Sequence, residues 1–224
     1  NLGGPARRHN LVKALVGVAG AIIIMLAPVF AGEYEGVNNL ILTSRRGPQA
    51  GCLAKIIAAL LAAVGVTLLT LAVNLGLALA LYGTEGLDCS ILFAPAEFSE
   101  NYIPCNISCA QLLAYQILLA LGTAGSVAGL GLLFSAFCRS QLAAFGAAAA
   151  VYLLPVVLPV AESSALFRLV VLLPLYQAQF VALMSVGQLS GGLLYAALAM
   201  PVAMVCFVAG AMLAWRIFVN QQVC

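Results

Sequence analysis

Long apolar runs recur along the chain, and short polar stretches separate them. The 224 residues are 64% hydrophobic and 7% charged, whereas soluble domains are about 25% charged. A helix needs about 20 apolar residues to cross the ~30 Å hydrocarbon core of a bilayer, and the runs are continuous rather than alternating as in a β-barrel. The sequence therefore predicts an all-α, polytopic membrane bundle that forms a single domain, residues 1–224.

The apolar runs predict five full membrane spans, at residues 11–31, 53–81, 111–137, 142–160 and 193–218. Pro28 is expected to bend the last turn of the first span, because proline removes a backbone donor. Pro155 and Pro159 are expected to break the outer half of the fourth span for the same reason. Gly125 and Gly129 in the third span should let another helix approach closely, as small residues do in membranes.

The region 161–192 lies between the last two spans and is apolar, but Arg168 and Pro174 interrupt it. A sixth crossing here would place the C-terminus outside. We interpret the region instead as short re-entrant helices that enter the outer leaflet and turn back. Glu162 lies beside two serines and is interpreted as an interfacial residue, because an acid at mid-bilayer costs about 2.5–3.5 kcal/mol. The alternative is that Glu162 lines the exit of a substrate path, paired with Arg168.

The basic residues indicate how the chain is oriented. Residues 33–55 contain three basic side chains, whereas the loop 83–110 contains four acids and no Lys or Arg. Lys and Arg concentrate in cytoplasmic loops, which predicts that 33–55 is cytoplasmic and 83–110 is outside. Trp215 and Arg216 fit a cytoplasmic C-terminus. Three basic residues before or at the start of the first span compete with this assignment: Arg7, Arg8 and Lys13.

Seven cysteines do not make a disulfide framework, since several of them lie in or beside apolar segments. Cys89, Cys105 and Cys109 share the outer loop. In an oxidising compartment this loop allows one disulfide, and three free thiols are equally consistent with the sequence.

The polar stretch 33–55 has a pattern of its own. Its charged residues and its first glycine come in the order Glu33, Glu35, Gly36, Arg45, Arg46 and Lys55. Within it, residues 37–44 form a short amphipathic segment with Leu40 and Ile41 on one face. The stretch is therefore either a solvated loop or a short helix that lies at the membrane surface and is held by a partner protein.

This order of residues resembles the permease subunits of ABC-2 type exporters. In that family the motif ends one transmembrane helix and forms a cytoplasmic coupling helix, and the next helix starts at a lysine. The family usually has threonine after the glycine, where this chain has Val37. The resemblance implies one further helix upstream, and since the chain begins at Asn1 we expect that an N-terminal part is missing, which would give six spans. The implied ATPase-coupling residues are Glu33, Glu35, Gly36, Leu40, Ile41, Arg45 and Arg46.

The resemblance implies a subunit of an ATP-driven exporter in the bacterial inner membrane. Its partners would be a separate ABC ATPase subunit, which holds ATP and Mg, and a second permease subunit, identical or related. The chain has no Walker A sequence and one histidine, His9, so neither a nucleotide site, a cofactor site nor a catalytic site is predicted in it. The net charge of +2 is too small to indicate nucleic-acid binding.

Three polar residues inside spans are candidates for the substrate path or for interhelical hydrogen bonds: Asn74, Tyr115 and Gln116. A secondary transporter would need ionisable groups at mid-membrane, and the predicted spans hold almost none. An intramembrane enzyme would need paired Glu or His residues, which the spans lack. A non-transporting membrane scaffold remains the other alternative.

Overall fold

The computed structural model describes residues 17–31, 47–83, 87–90, 107–157, 170, 172–177 and 194–221. Within these ranges the chain is helical and forms no strand, apart from an isolated antiparallel bridge between Ser90 and Ser108. The all-α prediction is confirmed. The helices are α1 (Gly17–Ala31), α2 (Gly47–Tyr82), α3 (Cys109–Phe137), α4 (Gln141–Val157), α5 (the single turn Pro174–Gln177) and α6 (Leu194–Gln221).

In the described part of the chain, three helices are long and apolar enough to cross a membrane: Ala50–Leu81, Cys109–Phe137 and Ala197–Val219. The apolar helices Gly17–Ala31 and Gln141–Pro155 are shorter. The chain is therefore an all-α membrane protein. Most of region 161–192, and residues 11–16 of the first predicted span, lie outside the described residues.

Helix α3 is the centre of the bundle, because it packs against α1, α2, α4, α5 and α6. Its middle and C-terminal turns are buried, and Ala128, Leu132 and Ala136 are fully enclosed. Helices α2 and α6 are mostly exposed instead, and they present Leu, Val and Met side chains outward. A membrane helix that faces lipid on one side needs no polar face there, since lipid tails are as apolar as leucine.

Helices α3 and α6 approach most closely at two glycines. A Cβ atom on Gly129 would lie 2.8 Å from the Cα of Phe207 and 3.0 Å from the carbonyl oxygen of Cys206. A Cβ atom on Gly210 would overlap the carbonyl group of Gly129. The prediction for Gly129 is confirmed, whereas Gly125 has only an ordinary contact, with its Cβ position 4.0 Å from that of Phe207.

The C-terminal ends of α1, α3 and α6 meet the N-terminal ends of α2 and α4 at one end of the bundle. Three residues, 138–140, connect α3 to α4 in a tight turn. All basic residues in the described ranges lie at this end, which we call the basic end: Lys55, Arg139 and Arg216.

At the opposite end, residues 87–90 pair with the start of α3. The Cys109 N–H donates to the carbonyl of Cys89 (3.0 Å), and the Ala110 N–H donates to the carbonyl of Leu87 (2.9 Å). Asp88, the one acidic residue in the described ranges, is exposed here, so we call this the acidic end. Cys89 and Cys109 are free thiols, and Cys105 lies outside the described residues.

Two predicted boundaries are wrong. Helix α4 continues through Pro155 to Val157. One missing donor near a helix end costs a single hydrogen bond, and Pro155 is buried against the bundle. Helix α2 begins at Gly47 rather than Leu53, with Pro48 in its first turn, where a missing N–H costs nothing. Lys55 therefore lies in the third turn of α2 and does not start it.

Candidate functional site

The candidate site is the basic end, where the predicted coupling segment joins the bundle. The predicted coupling segment is residues 33–55. Ala31 is the last described residue before it, and residues 47–55, at its end, form the start of α2. Residues 32–46 lie outside the described residues, so the structure shows how the chain is held on either side of them. The same holds for the predicted residues Glu33, Glu35, Gly36, Leu40, Ile41, Arg45, Arg46 and Glu162.

The first attachment point, the end of α1, is held by a hydroxyl group of α3. Helix α1 is interrupted at Ala27, next to Pro28, as the sequence predicts. Ser135 Oγ accepts hydrogen bonds from the N–H groups of Phe30 (2.9 Å) and Ala31 (3.2 Å). The same hydroxyl donates to the carbonyl oxygen of Ala27 (2.8 Å). Ser135 thus uses its one donor and both acceptor positions, and it fixes the bend that Pro28 introduces.

On the other side of residues 32–46, α2 is held by Lys55, whose ammonium group lies over two aromatic rings. The Lys55 Nζ atom is buried, 5.4 Å from the centroid of Phe30 and 5.1 Å from the centroid of Phe218. The two ring centroids are 4.9 Å apart, and the rings are tilted by 49°. We call these three side chains the aromatic–lysine cluster. The negative ring faces stabilise the positive charge, by up to about 2 kcal/mol where water is excluded.

The aromatic–lysine cluster joins three helices. Phe30 is 0% exposed and Phe218 is 5% exposed, and both belong to the main hydrophobic core together with Cys52. Phe30 precedes the predicted coupling segment 33–55, Lys55 is its last residue, and Phe218 is on the last helix. Both ends of the segment therefore contact the same side chain of α6.

No protein-family model, curated protein or solved structure matches this chain. The likeness to ABC-2 permeases therefore depends on the residues of the 33–55 stretch.

Asn74, a predicted candidate for the substrate path, lies on the outside of the bundle. It is exposed on α2, and its side-chain amide donates to the carbonyl of Thr70, one turn earlier in the same helix (2.8 Å). Its side-chain amide is thus satisfied on its own helix, and the two predicted roles of Asn74, an interhelical hydrogen bond or a substrate contact, stay predictions. Tyr115 and Gln116 are half-buried, near the start of α3.

A second polar cluster lies deep in the bundle, and the sequence analysis did not identify it. The Gln177 Nε2 group donates to the carbonyl of Leu172 (2.7 Å), and its Oε1 atom faces the Ser126 hydroxyl at 3.2 Å. That hydroxyl also lies 3.2 Å from the carbonyl of Gly122 and 3.3 Å from that of Ala203, so three acceptors share one hydrogen. Ser126 is 0% exposed and Gln177 is 1% exposed.

This second cluster connects α3, α5 and α6 far from either end. Ser126 lies about 25 Å along α3 from Cys109 and about 16 Å from Phe137, at 1.5 Å per residue. The sequence signal for this second cluster is Gln177, a glutamine within an apolar stretch. Its partner could not be read from the sequence, since Ser126 is one of several small residues in a glycine-rich helix.

Proposed function

We propose that the chain is the transmembrane permease subunit of an ATP-driven ABC-2 type exporter. The observation that carries the proposal is the Glu33–Lys55 motif, whose two flanks converge on Phe218. A lever that transmits force needs stiff attachments. Here they are made by the buried side chains of Ser135 and Phe30 and by Lys55, whose Nζ atom is buried. A loop that only connects two helices requires no such attachments.

The two ends of the bundle support the proposed orientation. The basic end would be cytoplasmic, since Lys55, Arg139 and Arg216 gather there and Asp88 lies at the other end. In the described ranges, these charged residues lie toward the two ends rather than at mid-bundle. This distribution favours an exporter driven by a separate ATPase over an ion-coupled transporter, which needs ionisable groups at mid-membrane.

The proposed architecture has five full spans in this chain, with short re-entrant helices between the last two. Support for the re-entrant helices comes from residues 172–177, which pack beside the middle of α3. Non-helical backbone at membrane depth is tolerated only where protein buries it. Here the Gln177 side chain donates a hydrogen bond to the carbonyl of Leu172, so this backbone group has a partner inside the protein.

In the proposed mechanism, the ATP and Mg are bound by the partner ATPase and not by this chain. Closure of two ATPase subunits on ATP would displace residues 37–44 as a rigid lever and rock α1 and α2. Leu40 and Ile41 would fill a groove of the ATPase, each offering roughly 1.5–3 kcal/mol before ordering costs. Glu33, Glu35, Arg45 and Arg46 would form the polar rim of that contact.

Substitutions in the coupling segment test the proposal. Leu40→Asp and Ile41→Asp should abolish copurification of the ATPase, because each would place a charge in an apolar groove. Membrane insertion of the permease should be unchanged. Asn38→Asp, on another face of the same segment, is the matched control and should retain the ATPase. Normal assembly of the complex in both aspartate variants would contradict the docking role.

A further inference from the structure

The aromatic–lysine cluster has a geometry that a simple helix contact does not require. Lys55 lies on α2, Phe30 ends α1 and Phe218 lies near the end of α6, yet each of the three side chains is within 5.4 Å of the other two, measured from Nζ and the ring centroids. Leucine or valine would fill the same volume without holding a charge there. The cation therefore adds an attraction that depends on the positions of both rings.

We propose that this cluster is a clasp that transmits the motion of the coupling segment to the last helix. The inference rests on the proposed function, and it assigns the transmitting residues. When the segment moves, Phe30 and Lys55 move with its two flanks, and the cation between the rings makes Phe218 follow. Helix α6 then carries the displacement toward the middle of the bundle, where Gly210 contacts Gly129 of α3.

The clasp can be tested first in the isolated chain by a double-mutant cycle. Lys55→Met keeps the length of the side chain and removes its charge, and Phe218→Leu removes a ring. Loss of the cation–ring attraction should change the unfolding equilibrium constant by about 2- to 30-fold. The double variant should be less destabilised than the product of the single effects predicts. Independent, multiplicative effects would overturn the clasp. Lys55→Arg keeps a cation and should behave like the unaltered chain.

The second test measures transmission in the complex with the copurifying ATPase. Spin labels replace Met212 on α6 and Leu142 on α4, both of which are exposed, in a chain whose native cysteines are alanines. A non-hydrolysable ATP analogue should shift the distance between these labels in the unaltered chain and in Lys55→Arg. In Lys55→Met the shift should disappear, while the ATPase still binds and still hydrolyses ATP. If Lys55 had only a structural role, Lys55→Met would not abolish the shift in label distance while ATPase binding and hydrolysis remained.

The outcomes separate the clasp from the function beneath it. A shift that persists in Lys55→Met, with the ATPase bound, would overturn the clasp and leave the exporter proposal in place. An unaltered chain that binds no ATPase would overturn the exporter proposal, and the clasp with it.

Discussion

Ser135 determines how the α1 helix ends, although it belongs to α3. Its hydroxyl contacts two N–H groups and one carbonyl around Pro28. Proline leaves a helix with backbone groups that need other partners, and in a membrane interior water cannot supply them. The bend at Pro28 therefore depends on a hydroxyl that is distant in sequence and adjacent in space.

Ser135→Ala should destabilise the protein by about 1–2 kcal/mol, because buried backbone groups at the bend lose their partner. The measurement is thermal unfolding of the detergent-solubilised protein, followed by circular dichroism. Thr123→Val is the matched control. Thr123 is also buried on α3, at 6% exposure, but its hydroxyl donates to the carbonyl of Leu119 in the same helix (2.8 Å).

Thr123→Val should cost less than about 0.5 kcal/mol, since the Leu119 carbonyl needs no second partner. An equal loss of unfolding free energy in Ser135→Ala and Thr123→Val would contradict the role assigned to Ser135. It would indicate that every buried hydroxyl of α3 contributes the same stability.

Single residues were predictable where their effect is local. The bend at Pro28 follows from the chemistry of proline, and the close approach at Gly129 follows from the absence of a side chain. Ser135 and Gln177 were not predictable, because nothing local distinguishes a serine that bonds its own helix from one that bonds another. Asn74 is a further example, since its side-chain amide bonds Thr70 within α2 and nothing in the sequence indicates that bond.

Among the helices, α3 and α6 form the closest contact of the bundle, and it depends on backbone meeting backbone. Gly210→Ala should destabilise the protein by about 1–3 kcal/mol, because the added methyl group overlaps the carbonyl of Gly129 and neither backbone can yield locally. The same thermal unfolding measurement applies. Gly65→Ala on α2 is the control, since nothing lies within 4 Å of its Cβ position.

Gly65→Ala should leave the stability unchanged or raise it by at most about 1 kcal/mol, the difference in helix propensity between the two residues. A Gly210→Ala variant as stable as Gly65→Ala would show that α3 and α6 are not in contact at Gly129.

The long helices were predictable because hydropathy over about 20 residues is a strong signal. The predicted spans at 53–81 and 111–137 fall within α2 and α3, and the span at 193–218 starts one residue before α6 and stops three residues short of its end. The start of α2 and the continuation of α4 past Pro155 were missed, because both depend on how much the bundle tolerates a proline. The α5 turn has no periodic pattern at all, and its contacts with α3, α4 and α6 define it.

At the scale of the whole molecule, the separation of charge between the two ends follows from the topology. Each end of the bundle contains all the connections on that side. A small excess of basic residues in one connection therefore adds to the basic residues of the other connections at the same end. Lys55, Arg139 and Arg216 come from widely separated parts of the sequence and lie at one end. The coupling-segment proposal requires that this end faces the cytoplasm.

Labelling from the two sides of the membrane tests this orientation. Asp88→Cys and Arg139→Cys place a thiol at exposed positions at opposite ends, in a chain whose native cysteines are alanines. A membrane-impermeant maleimide should label position 88 in intact cells, whereas position 139 should be labelled only after permeabilisation. The reverse pattern would place the basic end outside, beyond the reach of any cytoplasmic ATPase. Under the same rule, Arg7, Arg8 and Lys13 favour the opposite orientation of the chain in the membrane. The labelling experiment therefore decides between two orientations that the positions of the basic residues do not distinguish.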